Sequence, residues 1–220
     1  MKILSRADFV ALDDFVDTHP VKIDLVYAQP DHKDNVFKTA LYRSGARMWG
    51  YRDLVDIVLH AADICHKETG YIFELKDCLR PIEAQQRMIE TEIVKANPHW
   101  LKEPDQLLSL PGQGGHPRGM AVDIVLLDAN GDEVDMGTSF DYFTPDPARN
   151  PAARDFTDLP DDVLENRKVL ERAMLQAGAA AGHEILPLPS EWWDFRFRAA
   201  YSSRFKPVSD RDLPPEMRMV

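Results

Sequence analysis

Gly114-Gly115-His116-Pro117-Arg118-Gly119-Met120-Ala121-Val122-Asp123-Ile124-Val125-Leu126-Leu127 is the stretch on which the reading of this chain turns. Its second half, Val122 to Leu127, is too apolar for a strand with one wet face and is predicted to be central in a sheet. Its first half is a glycine-bounded turn that carries an imidazole. Seven positions (123 − 116) separate His116 from Asp123, so a turn folding back over the strand can bring both side chains to one divalent ion. Imidazole nitrogen with carboxylate oxygen is a common zinc shell, and a catalytic site needs three protein ligands and an open position. One His and one Asp at such a spacing also arise often by chance, so the rest of the site has to come from other segments.

Outward from that stretch, Asp128-Ala129-Asn130-Gly131-Asp132 supplies a hairpin turn. Upstream, Phe9, Leu12 and Val16 recur at helical spacing and predict a short amphipathic helix over 6–17. His19-Pro20 ends it, and Lys22 to Tyr27 alternates as a strand should. From Gln29 to Lys38 the chain is polar and loop-like. Leu54, Ile57, Val58, Ala61, Ile64 and Cys65 mark a helix closed by Gly70. Tyr71 to Lys76 follows as a strand. Asp77-Cys78-Leu79-Arg80-Pro81 then turns into a helix running to about Asn97-Pro98, with Pro81 near its first position. Residues 99–113 read as irregular, and 141–161, with Pro145, Pro147, Pro151 and Pro160, as a surface loop. Leu164, Val169, Leu170, Met174 and Leu175 mark another helix, stopped by Gly178 or Gly182. Glu191 to Phe197 alternates aromatics as a strand, and the proline-rich tail from Pro207 is expected on the surface. Strands mixed with helices around an antiparallel centre indicate an α+β fold with a mainly antiparallel sheet, in a single domain over residues 1–220.

The whole chain sets the outer bounds. A length of 220 residues can bury a full core, and 44% hydrophobic with 29% charged residues is ordinary for a soluble globular protein. A net charge of −11 argues against a nucleic-acid backbone as partner and presents no basic face to an anionic membrane. No run approaches the roughly 18 apolar residues of a membrane span, and the N-terminus lacks the pattern of a signal peptide. Cys65, on an apolar helical face, and Cys78, in a loop, read as free thiols in a reducing compartment, so cytoplasm is the default.

Three polar groups fall at strand edges or in turns: Arg80, the His116/Asp123 pair, and Glu191 with Asp194. Together they supply what metal-assisted amide hydrolysis requires, namely an ion, a carboxylate to take the water proton, and a cation for the developing oxyanion. Each has a plain alternative. Arg80 can pair with a surface acid, Glu191 can be an edge-strand charge, and Trp192 and Trp193 suit core and pocket wall.

With these residues in place the chain resembles the D-alanyl-D-alanine dipeptidases, the VanX-like branch of the zinc D-Ala-D-Ala metallopeptidases, whose scaffold is shared with the hedgehog signalling domain. His116-Pro117-Arg118-Gly119-Met120-Ala121-Val122-Asp123 is similar to that family's His-x-x-Gly-x-Ala-x-Asp pattern. Asp135 to Asp141 resembles its Met-Gly-Thr-x-Phe-Asp segment, Asp77 to Pro81 its Asp-x-x-Arg-Pro turn, and Ile23 to Ala28 its early strand, all in the right order over residues 22–197. The resemblance implies a cytoplasmic enzyme that hydrolyses D-Ala-D-Ala or a similar dipeptide. It implies zinc held by His116 and Asp123, Glu191 as general base, and Arg80 stabilising the tetrahedral intermediate. It also suggests Asp141 as anchor for the substrate ammonium, with a loop-capping role as the alternative, and Trp193 as pocket wall.

Where the family has Glu-x-Trp-His, this chain has Glu191-Trp192-Trp193-Asp194. Aspartate can ligate zinc, which makes Asp194 the third expected ligand. Two carboxylates and one imidazole neutralise a 2+ ion, so weaker zinc binding or slower hydrolysis is expected, with manganese as a possible alternative metal. His183, eight positions before Glu191, reads as an ordinary surface histidine. Gly114 stands where relatives often carry a small hydroxyl residue. Two other readings remain open on the sequence: a non-catalytic binder of a peptidoglycan fragment or partner, and a peptidase acting on longer muropeptides.

Overall fold

The computed structural model describes residues 1–102, 106–146 and 149–220. Pro147 and residues 103–105, both within predicted loops, lie outside the described residues. The strands are β1 (Phe9–Ala11), β2 (Val21–Ile23), β3 (Trp49–Tyr51), β4 (Ile72–Asp77), β5 (Ala121–Leu127), β6 (Ile185–Pro187) and β7 (Asp194–Phe197). The helices are α1 (Arg52–Thr69), α2 (Ile82–Ile89), α3 (Glu92–Ala96), α4 (Asp161–Ala180) and α5 (Ala199–Ser202).

Five strands form one sheet in the order β2-β4-β5-β7-β6. Only the β2–β4 pair is parallel, and the other three pairs are antiparallel. The expected α+β class and mainly antiparallel sheet are thus observed. β5 lies at the centre with all of its residues buried, as its unbroken apolar run requires. β1 and β3 make a separate antiparallel pair. The long helices α1 and α4 pack on each other, with α1 also against β4 and α4 against β6. α1 ends at Gly70 in the left-handed region, φ 77°, as the sequence indicated.

Several boundaries differ from expectation. No helix spans 6–17. Phe9 and Ala11 instead face inward from β1, paired with Tyr51 and Trp49, while Val16 is exposed. A spacing of three and four residues also fits a short strand followed by a tight turn, and pairing with β3 decides between them. β2 stops at Ile23, because Val26–Ala28 tightens into a 3₁₀ turn. The helix predicted from 82 to 97 is broken at Thr91, whose hydroxyl donates to Met88 O at 2.7 Å and offers the backbone an exit from the helix. Gly178 sits inside α4, and the turn after it is made by Gly182, φ 74°. The strand predicted from Glu191 begins only at Asp194. The hairpin turn Asp128–Asp132 forms, but it closes on a lone Leu127–Glu133 bridge. The tail is not a surface strand of chain: Val208, Leu213, Met217 and Met219 are buried in the core, and Asp210 holds the Met219 N–H at 2.7 Å.

Candidate active site

The sheet register builds the centre of the site. Asp77 of β4 lies opposite Asp123 of β5, and Asp123 lies opposite Asp194 of β7. Three carboxylates therefore stand side by side across neighbouring strands, all buried. Like charges directly opposite one another in a sheet are destabilising, so each needs a compensating group.

The outer two have guanidinium partners. Asp77 accepts from Arg80 Nε at 2.7 Å and Nη2 at 2.6 Å on one oxygen, and from the Tyr42 hydroxyl at 2.7 Å on the other. Asp194 is gripped by Arg196, Nε to Oδ1 at 2.7 Å and Nη2 to Oδ2. Burial opposes ionisation of Asp194, but Arg196 and then His116 hold its carboxyl well below the usual range. The middle residue is less well served. Asp123 Oδ2 is 3.5 Å from Arg80 Nη2, and Oδ1, fully buried, has no hydrogen-bond partner among the described residues. An orphaned buried carboxylate oxygen is costly unless something else binds it.

His116 completes the group. It opens a 3₁₀ turn closed by Gly119, φ 61°. A Cβ there would come within 2.9 Å of Tyr51 N, so glycine is what lets the turn dock on β3 before entering β5. His116 Nδ1 is 2.8 Å from Cys78 O. A carbonyl only accepts, so Nδ1 carries the hydrogen, and the ring presents Nε2 to Asp194 Oδ2 at 3.2 Å and Asp123 Oδ1 at 3.6 Å. Ligands about 2.0–2.1 Å from a tetrahedral ion sit about 3.3 Å from each other, and both separations match. A carbonyl bond fixing the far nitrogen is also the usual support of a metal-ligating histidine. Without an ion, burial disfavours the imidazolium, yet Asp123 and Asp194 outweigh it and push the His116 pKa up to about 10. The same burial, with the Asp194 charge, pushes Asp123 up.

A different threesome, Asp77, His116 and Asp123, brings its ligand atoms within 4.8 Å of one another, and this buried Asp-His-Asp group could hold a metal. Asp77 faces the Nδ1 side of the ring, at 3.7 Å, where the nitrogen is already hydrogen-bonded, and both Asp77 oxygens are taken. It serves as the anchor of Arg80, whereas Asp194 lies on the open Nε2 side.

The groups around this centre line a cavity of about 210 Å³ that includes Arg80, His116, Asp123, Asp141, Glu191, Trp193, Asp194 and Arg196. Every site residue expected from the sequence thus reaches one pocket. Glu191 lies in the turn before β7, its carboxyl pushed well up by burial and by the Asp194 charge. That turn is stapled by Arg154, which donates to Leu188 O at 2.9 Å, Trp192 O at 2.9 Å and Asp194 O at 3.0 Å. Trp193 is buried edge-on to Phe140. Asp141, a non-glycine residue at φ 55°, accepts from the Tyr27 hydroxyl at 2.6 Å. Burial above all, with repulsion from Asp123 and Asp77, pushes its pKa up to about 7. His183 stands apart, against Phe197 and Tyr201.

Comparison with known proteins bears on this geometry. A family model described as D-ala-D-ala dipeptidase, peptidase M15, matches residues 5–210. The chain belongs to the peptidase M15 family. Peptidases of this family are metallopeptidases. The chain is 26% identical over 183 residues, 83% of its own length and 81% of the relative's, to the D-alanyl-D-alanine dipeptidase of Escherichia coli K12. It is also similar to the L-Ala D-Glu endopeptidase ChiX of Serratia marcescens, with 15% identity, a TM-score of 0.40, and coverage of 69% of this chain and 82% of that one. Among the described residues no helix of this M15 peptidase is long and apolar enough to cross a membrane.

Reasoning from the sequence missed Asp77, Arg154 and Arg196. Asp77 and Arg80 are three apart in a turn, and Asp194 and Arg196 two apart on a strand, so both pairs share a face. Those two signals were present in the spacing. Arg154 sits in a proline-rich loop with no periodicity to place it.

Proposed function

We propose that this M15 peptidase is a zinc dipeptidase that hydrolyses D-Ala-D-Ala or a closely similar dipeptide, with His116, Asp123 and Asp194 as the metal ligands. The observation that carries this reading is the buried, unpartnered Asp123 Oδ1 on the same side of the His116 ring as Asp194 Oδ2, both close to Nε2. A divalent ion bound there would polarise the scissile carbonyl and acidify the attacking water. Glu191 takes the proton of that water and returns it to the leaving amine. The raised affinity of its carboxyl for a proton suits such a shuttle. Arg80, oriented by Asp77 and stacked 5.2 Å above the Tyr27 ring, places a fixed cation where the oxyanion develops. Asp141 receives the substrate ammonium, and Trp193 walls the pocket. A cavity of about 210 Å³ suits a short ligand better than a muropeptide. The two cysteines, both free and buried, fit work in the reducing cytoplasm.

The test is metal analysis of the purified protein, followed by D-Ala-D-Ala hydrolysis with zinc, manganese or chelator. About one zinc per chain and turnover that chelation abolishes are expected. Turnover with manganese alone would replace the metal. Turnover confined to longer peptides would replace the substrate, and neither metal nor turnover would leave a non-catalytic binder.

A further inference from the structure

Arg196 lies in the pocket, and nothing in the proposed reaction uses it. Its partner is the one residue at which this chain departs from the family's ligand pattern. Arg196 and Asp194 stand two apart on β7, on one face, with Nε and Nη2 on the two carboxylate oxygens. The pair is fixed from behind, because Arg154 holds the Asp194 carbonyl at 3.0 Å. A carboxylate oxygen has two acceptor positions. Oδ2 therefore retains one after bonding Arg196, and it lies 3.2 Å from His116 Nε2, on the side where an ion would sit.

We propose that Arg196 is a positioning residue that stays paired with Asp194 and gives this aspartate the electrical weight of a neutral ligand. The inference rests on the assignment of His116, Asp123 and Asp194 as metal ligands. Neutral His116, Asp123 at −1, Asp194 at −1 and Arg196 at +1 sum to −1. Two imidazoles and one carboxylate also sum to −1. The chain thus reaches the charge of a two-histidine site by another route, and a bound 2+ ion keeps its net positive character. The neutral, less activating metal site expected from Asp194 alone is thereby avoided two residues later. A sharper consequence follows for Asp194→His: made alone, it leaves Arg196 without its partner beside the ion.

Zinc affinity, measured at fixed pH against a chromogenic chelator, reads this directly. Arg196→Met removes a positive charge a few ångströms from the ion and is expected to tighten zinc binding on the order of tenfold or more. Asp194→His is expected to weaken it by a similar factor. The double variant restores the charge and should return to within about threefold of the starting protein, while Arg196→Lys, which keeps the charge, should bind less tightly than Arg196→Met. A purely structural Arg196 would instead weaken binding in every variant. Thermal melts are recorded alongside, and Arg196→Gln replaces Arg196→Met if the latter does not melt cooperatively. Unchanged or weaker binding in the Arg196 variant, or a double variant no better than Asp194→His, overturns the inference while leaving the ligand assignment standing. If the starting protein binds no zinc, or His116→Ala binds it equally well, the ligand assignment fails and the inference with it.

Discussion

Two groups of acidic residues flank β4, one on each side of the Lys76–Asp77 step, and both place an Asp-His-Asp set within ligand distance. They are wired in opposite ways. In the group of Asp24, His32 and Asp34, the centre already holds an ammonium: Lys76 Nζ is 2.7 Å from Glu74, 2.8 Å from Asp24, 3.3 Å from Asp34 and 3.5 Å from Glu133. His32 Nδ1 accepts the Asp34 N–H at 3.1 Å, which leaves Nε2 as the donor, 3.2 Å from Asp24. In the other group His116 faces a carbonyl through Nδ1, so Nδ1 is the donor and Nε2 is turned toward Asp194 and Asp123, where the Asp123 oxygen has no hydrogen-bond partner among the described residues. Similar residue types thus make a closed ion cluster in one place and an incomplete one in the other. What separates them is whether the backbone group at each histidine's Nδ1 donates or accepts, and whether the chain supplies its own central cation.

The largest effect that would sharpen this contrast comes from Glu191. Glu191→Gln keeps the shape of the pocket and removes the proposed proton acceptor, and loss of a general base costs about 10²–10⁴ in kcat. Zinc affinity should stay within a few-fold. His32→Ala, on the closed cluster, should leave both kcat and zinc content unchanged. Steady-state kinetics with metal analysis on the two variants checks the pair. A His32 variant that loses zinc would erase the distinction drawn above.

Lys76→Met probes the closed cluster from within. Removing one partner of a buried ion network leaves the others uncompensated and costs roughly 3–5 kcal/mol. Burial works against the ammonium, but its bonds to Asp24 and Glu74 raise its pKa well above the ordinary lysine range. A raised lysine contributes stability below the unfolded value and loses it only as pH rises through the folded one. The gap between variant and parent, read from urea midpoints, should therefore be flat from pH 6 to 9. Hydrolysis by the fraction that remains folded should be unaffected.

How far these features were legible depends on how local their causes are. The β5 run and the glycine after α1 were readable because burial and a left-handed cap leave marks within a few residues. His116, Asp123 and Glu191 were found through segments that each resemble a known pattern. The row of Asp77, Asp123 and Asp194 was not visible, because a register across three strands is set by distant pairings. Arg196 could have been read from its period-two spacing with Asp194. The false helix at 6–17 and the tail that turns out to be core share one cause: short irregular segments take their conformation from what they pack against.

The smallest predicted effect tests whether the incomplete cluster carries a standing cost. Asp141 holds a left-handed backbone, φ 55°, a conformation that Asp and Asn tolerate better than most residues. Its carboxyl is pushed up to about 7 by burial and by the neighbouring aspartates, with Tyr27 and Arg80 pulling the other way. A carboxyl whose folded pKa exceeds its unfolded one binds more protons in the native state, so stability falls as pH rises from about 4 to about 7. Asp141→Asn keeps the backbone preference and an acceptor for Tyr27 but removes that penalty. Because Asp141 is only half-buried, solvent screens part of the effect, and the variant should gain on the order of 1–2 kcal/mol at pH 8 and almost nothing near pH 4. Its KM for dipeptide should rise at pH 8, because the group that would pair with the substrate ammonium is gone. Equal urea midpoints for variant and parent at both pH values would mean that Asp141 is not held at a cost. A stability gain with KM unchanged would mean that the cost serves something other than the ammonium. The closed cluster, where Lys76 already neutralises the acids, offers no such trade: there the ion that satisfies the carboxylates is part of the chain, whereas on the proposed reading the cation that would satisfy Asp141 arrives with the substrate.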